Sequence, residues 1–383
     1  MPNRSVIILG GGVGGVVAAT RIRKRFPASR VVLVDRERDH LFQPSLLWLA
    51  TGSREPERIR RPLNSLRRLG VEVIIGEVTE LNPHERRIRV NGSDITADAM
   101  VISLGADLAP ERVPGLADAG HNLYTLAGAT SVRDALRSFD SGRVVVLTAA
   151  PAYKCPAAPY EAAMLVRDYL SRQGRRGAAT VEIYAAEPGP MATAGPEVAA
   201  AVRGMVEAQG VIYHPSHQVE SVDPVARKLQ FADGTTAGFD LLIYVPPHRA
   251  PAVLGPTGLL AENGWISVNA ETLATSVPEV FAIGDATAIP IPSGKVLPKA
   301  GVFAHQQAKI VADNLTAVWA GQTPHGVFDG KGACFIETGG GRAGYGSGDF
   351  YAAPVPTMRL HRPARWWHWG KVMFERRWLG RWP

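Results

Sequence analysis

Short, almost wholly apolar runs alternate with amphipathic stretches along most of this chain. Val6–Leu9, Val31–Val34, Arg143–Thr148, Val181–Ala185 and Val280–Ile283 are rich in β-branched residues, as strands buried on both faces are. Between them, Val16–Arg25, Tyr160–Arg172, Pro196–Gln209 and the stretch LPKAGVFAHQQAKIVADNL have the apolar spacing and composition of helices. VEVIIGEVTELNP, ITADAMVISLGAD (ending near Gly105) and FDLLIYVPP add further strands. Strands alternating with helices in this way predict parallel sheets covered by helices, the α/β class.

The first unit carries a phosphate-binding pattern. Gly10, Gly12 and Gly15 form G-x-G-x-x-G between a strand and a helix, and Asp35 follows Gly15 by 20 residues at the end of the second strand. Glycines there let the backbone approach a pyrophosphate at the helix N-terminus, and the terminal carboxylate can accept a ribose hydroxyl. A nucleotide of the ADP-ribose type is expected. Near the other end of the chain, TLATSVPEVFAIGDATAI delivers Gly284 and Asp285 to a turn just after a strand.

The same strand-into-loop device returns at Arg143–Thr148, but AAPAYKCPAAPYE follows it, with three prolines and no glycine. Side chains there would block a pyrophosphate, and prolines remove amide donors. NAD(P)H is therefore expected to bind poorly at this second loop.

The ends of the chain change the picture. Seven of the basic residues and five of the eight tryptophans fall in residues 359–383, against one acid, so this tail holds +6 of the net charge of +7. The charge is therefore no sign of nucleic-acid binding. On a helix from Ala364, Trp366, Trp369 and Met373 form one stripe and Trp367, Phe374 and Trp378 the next. Lys371, Arg376 and Arg377 are placed on the remaining face. Such a helix lies in a membrane interface with indoles at headgroup depth and cations toward anionic lipid. His361 and His368 read as interfacial polar residues, and no metal site is expected. No apolar run approaches the roughly 18 residues needed to cross a bilayer. MPNRSVIILGGG enters its first strand at once, leaving no room for a signal peptide, so a cytoplasmic-face, membrane-peripheral protein is expected. Two cysteines, Cys155 and Cys334, 179 positions apart, are too few for a disulfide-stapled fold.

Thr-x-x-x-x-Pro-x-Val-Phe-Ala-x-Gly-Asp resembles the second flavin signature of the flavoproteins with two dinucleotide-binding-type domains. K-C-P-A-A-P-Y-E, FQPSLLWLATG, LPKAGVFAHQQA, GACFIETGGG and HWGKVMFERRWL resemble segments of the sulfide:quinone oxidoreductase and flavocytochrome c sulfide dehydrogenase group of disulfide-reductase-like flavoproteins. The resemblance implies two Rossmann-like, doubly wound domains and a C-terminal amphipathic membrane-binding segment. An FAD domain would be split between 1–107 and 240–325, around a second domain at 108–239 that carries the cysteine loop. Residues 326–383 would hold the second cysteine and the interfacial helix.

The resemblance assigns FAD contacts to Gly10, Gly12, Gly14, Gly15, Asp35, Arg36, Pro44, Val78, Gly105, Gly284, Asp285 and Lys299. It makes Cys155 and Cys334 a redox pair, with Cys334 on the flavin side and Cys155 carrying sulfane sulfur. Lys154 would favour the thiolate, Lys299 the reduced flavin, and Glu161 would serve as acid or base. Sulfide is the implied substrate and quinone the implied acceptor, with Tyr345, Phe350 and Phe374 as candidates to line the quinone ring. GHNLYTLAGATSVRD lacks the third cysteine of the covalent-flavin branch, which implies non-covalent FAD. EPGPMATAGPE lacks the group's histidine, so the proton-transfer residue is unassigned. A sulfide dehydrogenase feeding a cytochrome, a type II NADH dehydrogenase and a non-catalytic flavoprotein stand as alternatives. Oligomeric state is left open, a homo-oligomer included.

Overall fold

The structure, a computed structural model, describes residues 4–382. Two five-stranded parallel sheets organise it. The first orders its strands 280–282, 99–102, 5–9, 30–35 and 72–75, so a strand from late in the chain closes a sheet begun at the N-terminus. The helix Val13–Arg25 packs against the late helix Gly301–Trp319, with Arg21 and Arg25 both on Asp313. Val6–Leu9 and Ala99–Ile102 have no exposed surface, as the unbroken apolar runs require.

The second sheet orders its strands 121–122, 241–245, 142–148, 179–185 and 212–214, again all parallel. Leu241–Val245 pairs residue for residue with Val144–Thr148. The second domain therefore extends beyond residue 239, and the expected boundary at 239/240 cuts off one of its own strands. An apolar run identifies a strand without naming its neighbour, and here that neighbour lies about a hundred residues back.

Residues 331–364 form a three-stranded antiparallel sheet, Lys331–Gly339, Arg342–Asp349 and Thr357–Ala364, which runs directly into the C-terminal helix Arg365–Leu379. The tail is thus half strand and half helix. The first helix starts at Val13, three residues earlier than its apolar spacing suggested, because Gly14 and Gly15 belong to its first turn.

Candidate active site

The glycine loop is built by collisions that only glycine avoids. Gly10 has φ of +101°, and a side chain on Gly15 would run into the carbonyl oxygen of Gly10. Gly14 is buried against Ser103 and Ile283, while the open sides of Gly12 and Gly105 meet no atom within 4 Å. Asp35 ends the second strand with one carboxylate oxygen on the Gly11 amide and the other accepting from the Glu37 amide at 2.7 Å. It braces the loop and keeps lone pairs free for a further donor. A pyrophosphate approached by bare backbone, with a carboxylate beside it, fits this cradle.

Gly284 has φ of +70° and donates its amide to Gln307 Oε1 at 2.7 Å, which sets Asp285 at the turn. Burial raises the Asp285 pKa, against the pull of Lys154 and Lys299. Lys299 donates to the carbonyls of Asp285 and Thr287, both at 2.8 Å, and its ammonium lies 3.4 Å from the Trp265 ring centre. Burial lowers its pKa to about 8. Of the other assigned positions, Arg36 is exposed and pairs with Asp107 at 3.4 Å, Pro44 is exposed, and Val78 begins a strand opposite Val90.

The cysteine loop is a strained turn. Cys155 has φ of +49°, the left-handed region that a residue with a β-carbon rarely occupies. Its amide donates to the Lys299 carbonyl at 2.6 Å, and its carbonyl accepts from Ala158 at 2.9 Å, where the helix Ala158–Arg172 begins. The buried Tyr124 hydroxyl donates to the Lys154 carbonyl at 2.7 Å, bracing the turn from the side. Tyr124 lies within GHNLYTLAGATSVRD, whose bearing had seemed to be only its lack of cysteine.

Both cysteines are free thiols, and the charges of one ion pair reach each of them. Glu161, in the first turn of the helix Ala158–Arg172 and six residues after Cys155, has a carboxylate oxygen 2.6 Å from Lys371 Nζ and 2.9 Å from the amide of Glu337. Cys334 lies three residues before Glu337 on the same strand. Burial pushes the Cys155 thiol up, Cys334 and Glu161 push it further, and Lys371 opposes them. For Cys334, burial and Glu161 raise the pKa to about 12, again against Lys371. Cys334 keeps exposed surface on its strand.

Lys371 is therefore the cation that lowers both thiol pKa values, and its expected place on a solvent face is corrected. It is 6% exposed, and Glu161 and Glu337 hold its pKa up against burial. Lys154, expected in that role, is buried with its ammonium 5.8 Å from the Tyr124 ring centre, and burial lowers its pKa. Trp378 is likewise turned inward: its indole N–H donates to His40 Nε2 at 3.0 Å. Glu375 takes Ser45 Oγ at 2.6 Å and the Arg54 guanidinium at 2.7 Å. What remains outward on the helix is Trp366, Trp369, Met373 and Phe374, flanked by exposed Arg365, Arg376 and Arg377.

The three aromatics expected around one ring are separated. Tyr345 stacks on Trp367 at 4.5 Å, Phe374 leans on Phe42 at 5.6 Å, and Phe350 is buried edge-on to Phe303 at 5.3 Å. Phe350 belongs to the core. The sequence reading also missed Glu187, two residues past the strand Ala179–Ala185. It is buried and receives hydroxyl bonds from Thr148 at 2.8 Å, Tyr160 at 2.6 Å and Tyr153.

Two parallel-sheet domains with a glycine cradle and a Gly-Asp turn define a flavin-dependent oxidoreductase. Residues 4–308 match the family model described as pyridine nucleotide-disulphide oxidoreductase, and the chain belongs to that family. It is an FAD-dependent enzyme. Among relatives, it is 28% identical over 367 residues to the mitochondrial sulfide:quinone oxidoreductase of Mus musculus, covering 92% of this chain and 80% of that protein. It is 24% identical to the sulfide-quinone reductase of Aquifex aeolicus, covering 98% and 90%. The solved sulfide:quinone oxidoreductase structure from Aquifex aeolicus has the same fold, with a TM-score of 0.89, 23% identity and coverage of 98% and 90%.

Proposed function

We infer that this chain oxidises hydrogen sulfide to sulfane sulfur and passes the electrons to a membrane quinone, with Cys155 and Cys334 as the redox pair. The observation that carries the reading is that the two cysteine-bearing segments, 179 positions apart, are tied together where the Glu161 carboxylate bonds Lys371 and the Glu337 amide. The named activities of the relatives agree with it.

In the oxidised pair the two sulfurs are joined. Hydrosulfide attacks the Cys155 sulfur, forming a persulfide there and releasing Cys334 as a thiolate. Lys371 offsets that negative charge in a place where burial otherwise disfavours it. Rejoining the two sulfurs through the added atom releases one proton and two electrons. FAD held in the glycine cradle would supply the two-electron acceptor, from which quinone would draw. Over one cycle, hydrosulfide, quinone and one proton become sulfane sulfur and quinol. Gly10, Gly12, Gly14, Gly15, Asp35, Gly105, Gly284 and Asp285 hold the FAD, non-covalently, since Cys155 and Cys334 are the only cysteines and both are used.

Quinone arrives from a lipid surface. Trp366, Trp369, Met373 and Phe374 dip into one leaflet of the cytoplasmic face, with arginines at headgroup level. No helix among the described residues is long and apolar enough to cross the bilayer.

Anaerobic sulfide should bleach the flavin absorption of the purified protein, and a short-chain quinone should restore it. Cys155→Ser and Cys334→Ser should each keep the FAD and abolish bleaching. A flavin indifferent to sulfide but bleached by NADH would sink this reading in favour of an NADH dehydrogenase.

A further inference from the structure

Sulfide oxidation leaves a proton in a chamber whose burial disfavours charge, and a file of titratable side chains leads out of it. The Glu161 charge reaches both thiols, and its carboxylate bonds Lys371 at 2.6 Å. Lys371 also lies close enough to Glu337 for that charge to raise its pKa. Both Glu337 oxygens lie 3.0 Å from His368 Nδ1. Glu337 is 1% exposed, while the His368 side chain is 28% exposed and reaches solvent. Lys371 and His368 are three residues apart on the C-terminal helix, so they share its inner face.

The surroundings insulate this file. The Trp48 ring meets Lys371 Nζ at 5.2 Å and the His368 ring at 5.9 Å. Arg54 and Glu375, charged residues on the adjoining elements, pair with each other at 2.7 Å. Burial raises the Glu337 pKa, against Lys371 and His368, so this carboxylate takes up a proton more readily than a free one.

We propose that Glu161, Lys371, Glu337 and His368 form a proton relay that drains the thiol chamber to the surface through the C-terminal helix. The proposal rests on the sulfide-oxidising reading above. The proton released when the sulfurs rejoin goes to the Glu161 carboxylate. Lys371 and Glu337 make no direct hydrogen bond, so a bridging water carries a proton from the ammonium to Glu337, and Lys371 is refilled from Glu161. Glu337 passes its proton to His368 Nδ1, and Nε2 releases one to water. One proton enters and one leaves, and after the imidazole exchanges its tautomer every group regains its starting state.

The test is sulfide-driven flavin reduction followed by stopped flow in the FAD-loaded protein. His368→Ala and Glu337→Gln are expected to slow it about a hundredfold, the lower end of the range for a lost proton-transfer group. The solvent deuterium isotope effect should rise in both variants, and added imidazole should restore His368→Ala. Glu337 is buried, so the more exposed His368 variant, checked for wild-type FAD content, keeps the test open if Glu337→Gln folds poorly. Wild-type rates in His368→Ala, or a loss that imidazole leaves untouched, overturn the relay and leave the sulfide reading standing. A wild-type flavin that sulfide cannot reduce overturns both.

Discussion

Two loops follow equivalent strands in the two sheets, and they use equivalent acids in opposite ways. After Ser5–Leu9 the loop is bare backbone, and Asp35 at the end of the next strand grips it through the Gly11 amide. After Gly142–Thr148 the loop is crowded, and Glu187 just past the next strand grips side-chain hydroxyls from Thr148, Tyr153 and Tyr160 instead. A carboxylate engaged by three hydroxyls, with Tyr153 and Tyr160 packed around it, leaves no approach for a ribose or a phosphate. The difference teaches that one scaffold makes either a cofactor cradle or a thiol platform, according to whether backbone or side chains fill the space above the strand.

The largest expected break in this comparison is Gly15→Ala. Its new methyl would collide with the Gly10 carbonyl, costing on the order of 4 kcal/mol and emptying the cradle, read as loss of flavin absorption per protein. Glu187→Ala should cost about 3 kcal/mol, read as a lower thermal midpoint, because buried hydroxyls lose their acceptor. NADH should still fail to bleach the flavin in that variant; bleaching would show that Glu187, not the crowded loop, excludes the nucleotide.

A smaller effect is set by pH. His40 donates from Nδ1 to the Gly11 carbonyl at 2.8 Å and accepts from Trp378 at Nε2, so it is held neutral; burial lowers its pKa to about 4, despite the Gly11 carbonyl. The unfolded chain protonates this histidine near pH 6.5 and the folded chain does not. Its stabilisation is therefore complete above pH 6.5 and is lost as pH falls toward 4, by about 2 kcal/mol at pH 5. Denaturant melts of wild type and His40→Asn between pH 5 and 7 would show it as a difference in slope. The smallest effect is Arg36→Ala. Its exposed pair with Asp107 should contribute less than about 0.5 kcal/mol, so any larger fall in FAD affinity measures contact with the nucleotide itself.

Much of this was legible from the residues. Turn chemistry is local, so Gly10, Gly15, Gly284 and Asp285 announced their backbone from sequence alone, and the strand and helix periods gave the α/β class. Partners were not local. Leu241–Val245 read as a strand but was assigned to the wrong domain, since its pairing with Val144–Thr148 depends on the whole sheet. Lys371 sat on the polar arc of an amphipathic helix, where a lysine is ordinarily solvated. Only the packed helix reveals that Glu161, 210 positions away, draws that lysine inward while Arg376 and Arg377 stay exposed. Trp378 and Phe350 failed for the same reason: aromatic character marks a wish to be buried and says nothing of where.

The hydrogen bond from Trp378 through His40 to Gly11 has a bearing on biosynthesis. The strand that closes the first sheet, residues 280–282, and the helix that anchors His40 are both translated long after the loop they complete. The nascent N-terminal half therefore holds its nucleotide loop through Asp35 alone, without His40 and Trp378, while the second domain, continuous in sequence, can fold ahead of it. Flavin capture should accordingly be a late event, coming after residues near 378 have left the exit tunnel.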